Sequence, residues 1–255
     1  MFHNYLMIIA YDGTQYQGWQ KQRKGQTIQD VLQKNLTLIL RKEISVIGSG
    51  RTDTGVHASG QVANFLFTES IDVFRLKGSL NGILPHDIRI QEIIQVPLCF
   101  HAQYSAIAKT YHYHLHLDQA QNPFNRLYAS RVKGIIDLDL LKKAMQLFVG
   151  THDFTAFANE NHSGSAAQNP IRTIYRLDLV KQEGGARLEF EADGFLYRMV
   201  RNITGTLLEI ALGRKSILEI PELFAKKDRR LIGKAAPAQG LFLFKVDYPL
   251  DHLNF

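Results

Sequence analysis

Cysteine is almost missing from this chain: Cys99 is the only one in 255 residues. A single cysteine excludes an intramolecular disulfide and any cysteine-rich zinc site, and it fits a reducing cytoplasm. Its neighbours Leu98 and Phe100 predict a small buried residue rather than a reactive thiol. Long apolar runs are missing too, with nothing near the ~18 residues that span a membrane. The stretch Met1-Phe2-His3-Asn4-Tyr5 carries no cationic segment followed by an apolar core, so no secretory leader is read there. No Gly-Lys-Ser/Thr phosphate loop is present, and no G-x-G-x-x-G follows a strand, which argues against a nucleotide cofactor. These absences lead to the expectation of a soluble, cytoplasmic protein.

What is present is ordinary for a folded domain, with 45% hydrophobic and 21% charged residues. Lys and Arg exceed Asp and Glu by 30 to 24, giving a formal charge of +6, and the isoelectric point is near 9.3. That balance favours a polyanionic partner.

Hydrophobic periodicity gives the organisation. A strand is predicted over 5–10 and ends at the turn signal Asp12-Gly13. A helix follows over 27–40, with Ile28, Val31, Leu32, Leu36, Ile39 and Leu40 on one face and Thr27 and Asp30 as a capping box. Strands at 44–47 and 61–67, a helix at 73–81 and a strand at 88–96 complete a β-α-β-β-α-β order. The second half reads the same way: strand 109–117, helix 138–149, strands 173–180 and 187–192 joined at Glu183-Gly184-Gly185, helix 195–212 and strand 241–248. The expected fold is therefore α+β. It consists of two tandem ferredoxin-like halves, 1–103 and 104–255, each a mostly antiparallel sheet with helices on one side and with an active-site cleft between them. The polar stretch 159–168 reads as a loop.

Gly50-Arg51-Thr52-Asp53-Thr54-Gly55-Val56-His57-Ala58 is the segment richest in chemistry. Its glycines allow a sharp bend and a close approach of ligand. Arg51, two residues from Asp53, can keep that carboxylate ionised in a closed pocket. An ionised, positioned aspartate serves as nucleophile or base; the plainer alternative is an N-cap or a surface ion pair. Three further segments could join it. Arg198 and Arg201 lie three apart on a predicted helix, Arg201 being the better candidate for an inward charge that needs an acid or a phosphate. Tyr111, on the strand 109–117, is either a stacking platform for a base or a core tyrosine. The loop from Tyr11 to Gln20, followed by Lys21, Arg23 and Lys24, mixes aromatics, amides and cations as an RNA-contacting loop does. His112, His114 and His116 share one strand face, but alternation spaces them about 7 Å apart, too far for three to share a metal ion.

Six blocks of this sequence resemble the tRNA pseudouridine synthase A family, in order and over nearly the whole chain. They are Tyr11-Asp12-Gly13-Thr14-Gln15-Tyr16-Gln17-Gly18-Trp19-Gln20, the Gly50–Ala58 run, Lys109-Thr110-Tyr111-His112-Tyr113, Gly150 to Phe157, Phe195 to Asn202, and Ala235 to Leu241. The resemblance implies an isomerase that converts uridine to pseudouridine at positions 38, 39 and 40 of the tRNA anticodon stem-loop, acting as a homodimer without cofactor or metal. It makes Asp53 the catalytic carboxylate and Arg201 its counter-charge, and gives Arg51 a part in prising out the target base. Tyr111 would stack on the flipped uracil, Leu241 would wall the base, and His57 falls in the same substrate-binding set. Lys109-Thr110 departs from the two basic residues the family often shows there. A non-catalytic RNA-binding protein with two RRM-like sheets is the alternative class; neither half shows an RNP1-like stretch on a central strand.

Overall fold

The structure, a computed structural model, describes residues 1–159 and 169–249. The chain divides into two compact units. One is Met1–Lys109 together with the stretch from Phe242 onward; the other is Thr110–Leu241. Both are mixed α/β with mostly antiparallel sheets.

The first unit is built on β1 (His3–Tyr11), which pairs antiparallel with β3 (His57–Phe67) and β4 (Ile88–Val96). Tyr5, Met7, Ile9 and Tyr11 are buried on one face; on the other Asn4 and Leu6 are buried too, and only Ile8 and Ala10 are half-buried. Helix α1 (Ile28–Leu40) buries Ile28, Val31, Leu32 and Leu36, the stripe predicted from spacing. Its start is fixed by Thr27, whose side chain accepts from the Asp30 backbone N–H at 3.3 Å. Helix α2 (Val73–Ile83) is capped in the same way by Asp72. Each fully buried leucine or isoleucine on these stripes contributes about 1.5–3 kcal/mol.

Three sequence expectations change here. The strand predicted over 44–47 is reduced to β2 (Ile47–Gly48). Ile44 and Val46 are buried as expected, but helix side chains take their backbone groups: Thr37 Oγ1 accepts from Ile44 N–H, Gln33 Oε1 accepts from Val46 N–H, and Gln29 Nε2 donates to the Val46 carbonyl. Cys99 is exposed rather than buried, because the turn closed by Phe100 N–H and the Pro97 carbonyl sends Phe100 into the core instead. The final strand, β10 (Leu241–Asp247), runs parallel to β3, with Phe242 opposite His57 and Leu243 opposite Ala58. From Phe242 on it therefore joins the first unit, where the pattern had counted it with the second.

The second unit carries the sheet order β5–β9–β8–β7, with β6 (Ser130–Arg131) beside β5 (Ala108–His116). Strands β8 (Ile171–Gln182) and β9 (Gly185–Ala192) form the predicted hairpin, and the short β7 (Gly150–Asp153) lies on the β8 edge. Helix α3 (Leu138–Gln146) starts at the expected cap: Asp137 accepts from the N–H groups of Asp139 and Leu140 at 3.0 and 2.8 Å. Helix α4 (Met199–Ala211) buries Met199, Val200, Ile203, Leu207 and Ala211. It begins later than predicted, because Arg198 takes a left-handed conformation with φ 60° and interrupts the pattern. Helix α5 (Glu219–Lys226) was not foreseen, being short and carrying Pro221 in its first turn. The loop expected over 159–168 lies, from residue 160, outside the described residues.

The histidine face of β5 meets charged and polar neighbours. His112 is buried 3.8 Å from Glu189, which pairs with Arg187 and Arg176, while His114 meets Gln182. Burial first, then the Arg187 charge, lowers the His112 pKa from 6.5 to about 4.

Two outcomes follow. Asp137→Ala removes the cap of α3 and is expected to lower unfolding stability by about 1 kcal/mol in urea titrations. For His112, the unfolded chain binds a proton as the pH falls through 6.5, whereas the folded chain resists until about 4, so stability is lost across that window. His112→Asn should lose less stability than the parent between pH 6.5 and 4 when unfolding is measured at each pH.

Candidate active site

The loop carrying Asp53 leaves the short β2 and enters β3, and the Tyr11–Gln20 segment fixes its course. Trp19 N–H donates to the Thr52 carbonyl at 3.1 Å, and Gly55 N–H donates to the Tyr16 carbonyl at 3.4 Å. Gly18 adopts φ 79°, and a β-carbon there would run into the Thr52 carbonyl oxygen. A β-carbon on Gly13 would strike the Val56 carbonyl in the same way. These two glycines let one backbone lie directly on another. Within the loop, Val56 N–H closes a turn on the Asp53 carbonyl at 3.1 Å.

This segment therefore differs from the RNA-contacting loop its composition suggested. Tyr11, Tyr16 and Trp19 are buried, Trp19 lying against Gly48, and only Gln15 and Gln17 are exposed within it. Its aromatics are the cradle of the Asp53 loop, and close approach at Gly13 and Gly18 is the signal that betrays this role. The cradle is itself anchored to α1, since Ile28 N–H donates to the Gly18 carbonyl and Gln29 N–H to the Trp19 carbonyl.

Beneath the loop lies a buried polar cluster. Thr52 Oγ1 and Tyr11 OH are 2.8 Å apart. Burial pushes the Tyr11 phenol well above its ordinary range, against the lowering effect of its hydrogen bonds to Thr52 and Gln61, so the hydroxyl keeps its proton. Gln61 Nε2 donates to the Gly50 carbonyl at 3.0 Å, and its Oε1 accepts from Ser49 Oγ at 2.8 Å and from Val62 N–H at 3.2 Å. Half-buried Lys109 donates from Nζ to the Ser49 carbonyl at 2.6 Å. Sequence reading gave neither Gln61 nor Lys109 a role; the one looks like an ordinary strand residue and the other like a surface cation.

Of the residues singled out in this unit, Asp53 is half-buried and Arg51 is exposed. His57 is fully buried and differs from the substrate-contacting residue expected. Its Nδ1 accepts from Gly13 N–H at 3.1 Å, and its ring stacks on Phe242 with centroids 4.5 Å apart. The same nitrogen lies 3.1 Å from Asp12 Oδ1. His57 fastens the end of the loop to the cradle.

In the second unit Tyr111 is 8% exposed and meets Phe195 edge-on, the centroids 5.0 Å apart at 82°. Arg201 is half-buried near the start of α4; its Nε donates to the Ala236 carbonyl at 2.8 Å, and Ala236 N–H donates back to the Arg201 carbonyl at 2.9 Å. Tyr113 OH donates to the Pro237 carbonyl at 2.8 Å, and Leu241 is buried at the end of that segment. Arg201 and Tyr113 thus hold the 235–241 block in place. Arg198 lies over the Tyr197 ring at 5.1 Å rather than standing free on a helix face. Among the described residues no cluster of His, Cys, Asp and Glu could hold a metal ion, and no helix is long and apolar enough to cross a membrane.

Comparison with known proteins gives the family. A family model described as tRNA pseudouridine synthase matches residues 7–105 and 144–249. The chain is 56% identical over 247 residues to tRNA pseudouridine synthase A 1 of Protochlamydia amoebophila, covering 96% of each chain. Identity is 43% to tRNA pseudouridine synthase A of a Geobacter species and 40% to that of Acetivibrio thermocellus, each covering 96% of this chain and 99% of the relative. With both halves of the chain matched and relatives aligned over nearly its whole length, the chain belongs to the tRNA pseudouridine synthase family.

Proposed function

We propose that this isomerase converts uridine to pseudouridine in the anticodon stem-loop of tRNA, at positions 38, 39 and 40, with Asp53 as the reacting carboxylate. One observation supports Asp53: it is half-buried on a loop whose backbone is pinned on both sides by hydrogen bonds. A carboxylate held this way is positioned before substrate arrives, and orientation alone can remove several kcal/mol from a barrier.

The reaction is an isomerisation in which the N1–C1′ bond breaks, the freed uracil turns, and C5 bonds to C1′. The C5 proton is lost and N1 gains one, so neither oxidant nor water is consumed. A carboxylate can serve by attacking C1′ or by taking the C2′ proton, and both routes need it ionised. The target base is stacked in RNA, so it must flip out first, at a cost of a few kcal/mol. Tyr111, already braced edge-on by Phe195, is the proposed stacking partner of the base. Leu241 is the proposed apolar wall, Arg201 the proposed positive charge of the reaction, and exposed Arg51 a proposed aid to flipping. Exposed Arg23 and Lys24, next to the cradle, suit contacts with RNA phosphates. The same reading includes a homodimer in the cytoplasm, with each tRNA spanning both subunits.

The test is incubation of unmodified tRNA with the purified protein, no cofactor added, followed by carbodiimide-blocked primer extension. Stops are expected at the three anticodon-arm uridines, and their absence sinks the assignment. Asp53→Asn should lower turnover by on the order of 10³–10⁴-fold, with the tRNA dissociation constant near that of the parent. Persistent turnover would rule out Asp53 as the reacting carboxylate, whereas a parent that binds tRNA and forms no pseudouridine would point to a non-catalytic RNA-binding role. Affinity should fall about 10³–10⁵-fold between 50 and 200 mM salt if ~6–10 phosphates are contacted. Arg23→Ala should flatten that log–log slope by about 1. Light scattering during gel filtration checks the dimer.

A further inference from the structure

We infer that Gln61 is the positioning residue of the Asp53 loop: through its carboxamide it sets the height and tilt of the backbone that carries the carboxylate. The inference rests on the assignment of Asp53 above and concerns residues of the first unit only.

The geometry leaves Gln61 little other purpose. Its side chain is fully buried in the middle of β3, where a polar group is costly unless satisfied. Every part of the amide is used. Oε1 receives Ser49 Oγ at 2.8 Å and Val62 N–H at 3.2 Å. Nε2 donates to the Gly50 carbonyl at 3.0 Å and approaches Tyr11 OH at 3.5 Å. Tyr11 in turn meets Thr52 Oγ1 at 2.8 Å. One side chain therefore holds the loop at Ser49, at Gly50 and, through the tyrosine, at Thr52, the residue directly before Asp53. Lys109 pulls on the same stretch from its other side, at the Ser49 carbonyl. Two of these bonds reach the loop directly, at Ser49 Oγ and the Gly50 carbonyl, and the others tie the amide to β3 and β1, which is how a buried network serves placement. A residue that supports a catalytic group in this way governs rate without touching substrate.

Amide chemistry makes the idea testable. Only a group with both a donor and an acceptor fits the site. Gln61→Met keeps the length and removes both. Gln61→Glu keeps the acceptor, and donates only while protonated. Burial raises the pKa of such a carboxyl group. Lowering the pH should therefore restore the bond to the Gly50 carbonyl, and raising it should set a negative charge against that oxygen.

Single-turnover rates on saturating unmodified tRNA, tRNA dissociation constants and thermal melting would be measured for the parent, Asp53→Asn, Gln61→Met, Gln61→Glu and Tyr11→Phe. Gln61→Met should lose about 10²-fold in rate, the size expected for a misplacement near 1 Å, with tRNA affinity unchanged. The ratio of the Gln61→Glu rate to the parent rate should fall as pH rises. Tyr11→Phe, which deletes only the hydroxyl relaying to Thr52, should lose about tenfold in rate, as one lost hydrogen bond would, and it carries the test if Gln61→Met does not fold. A parent-like rate in folded Gln61→Met, or in Tyr11→Phe, overturns the inference. So does a pH-independent Gln61→Glu ratio, or a parallel loss of rate, affinity and melting temperature. Failure of the underlying assignment looks different: there the parent itself makes no pseudouridine, or Asp53→Asn still does.

Discussion

The first unit depends on one contact, the laying of the Tyr11–Gln20 backbone on the Thr52–Val56 backbone. Trp19 N–H to the Thr52 carbonyl is its central bond, and it exists only because Gly18 and Gly13 present no β-carbon to the opposing carbonyls. Everything around it serves to keep these two strips of chain together. Trp19 fills the space under Gly48, α1 starts on the Gly18 and Trp19 carbonyls, and His57 bonds back to Gly13. A loop that would be the softest part of most folds is here backed by a tryptophan, a helix start and a buried amide.

The second unit solves a similar problem with different parts. There the block ending at Leu241 is held by a reciprocal pair of bonds between Arg201 and Ala236 and by the Tyr113 hydroxyl on the Pro237 carbonyl. A charged side chain, its own carbonyl and a strand tyrosine converge on three consecutive peptide groups. Arg201 thus has a structural task, and its half-buried guanidinium is oriented by neighbours that a purely exposed arginine would lack.

Much of this could be read from the residues. Periodicity located β1, β4, β5, α1 and α2 because each has one face committed to a core, and the caps at Thr27 and Asp137 are local rules obeyed locally. The carboxylate loop was legible for the same reason, its glycines and charge standing next to each other. What could not be read depends on partners distant in sequence. The backbone of 44–46 was diverted from strand pairing by glutamines and a threonine of α1. His57 looked like a ligand-facing residue until Phe242, 185 positions later, was found stacked on it. Gln61 reads in sequence as one polar residue on a strand, and its meaning appears only with Ser49, Gly50 and Tyr11 around it. Helix α5 escaped because eight residues with a proline carry too little periodic signal.

The strand β10 has a consequence for how this chain matures. It completes the sheet of the first unit by lying parallel to β3, and it brings Phe242 to the ring of His57 at the end of the Asp53 loop. During synthesis, residues 1–109 emerge early and can form their helices and antiparallel pairs, yet their edge at His57 and Ala58 stays open until more than a hundred further residues have been made. The far end of the carboxylate loop thus gains the Phe242 ring against His57 only late in translation. An aborted chain would leave the ribosome with Asp53 present and its support unfinished.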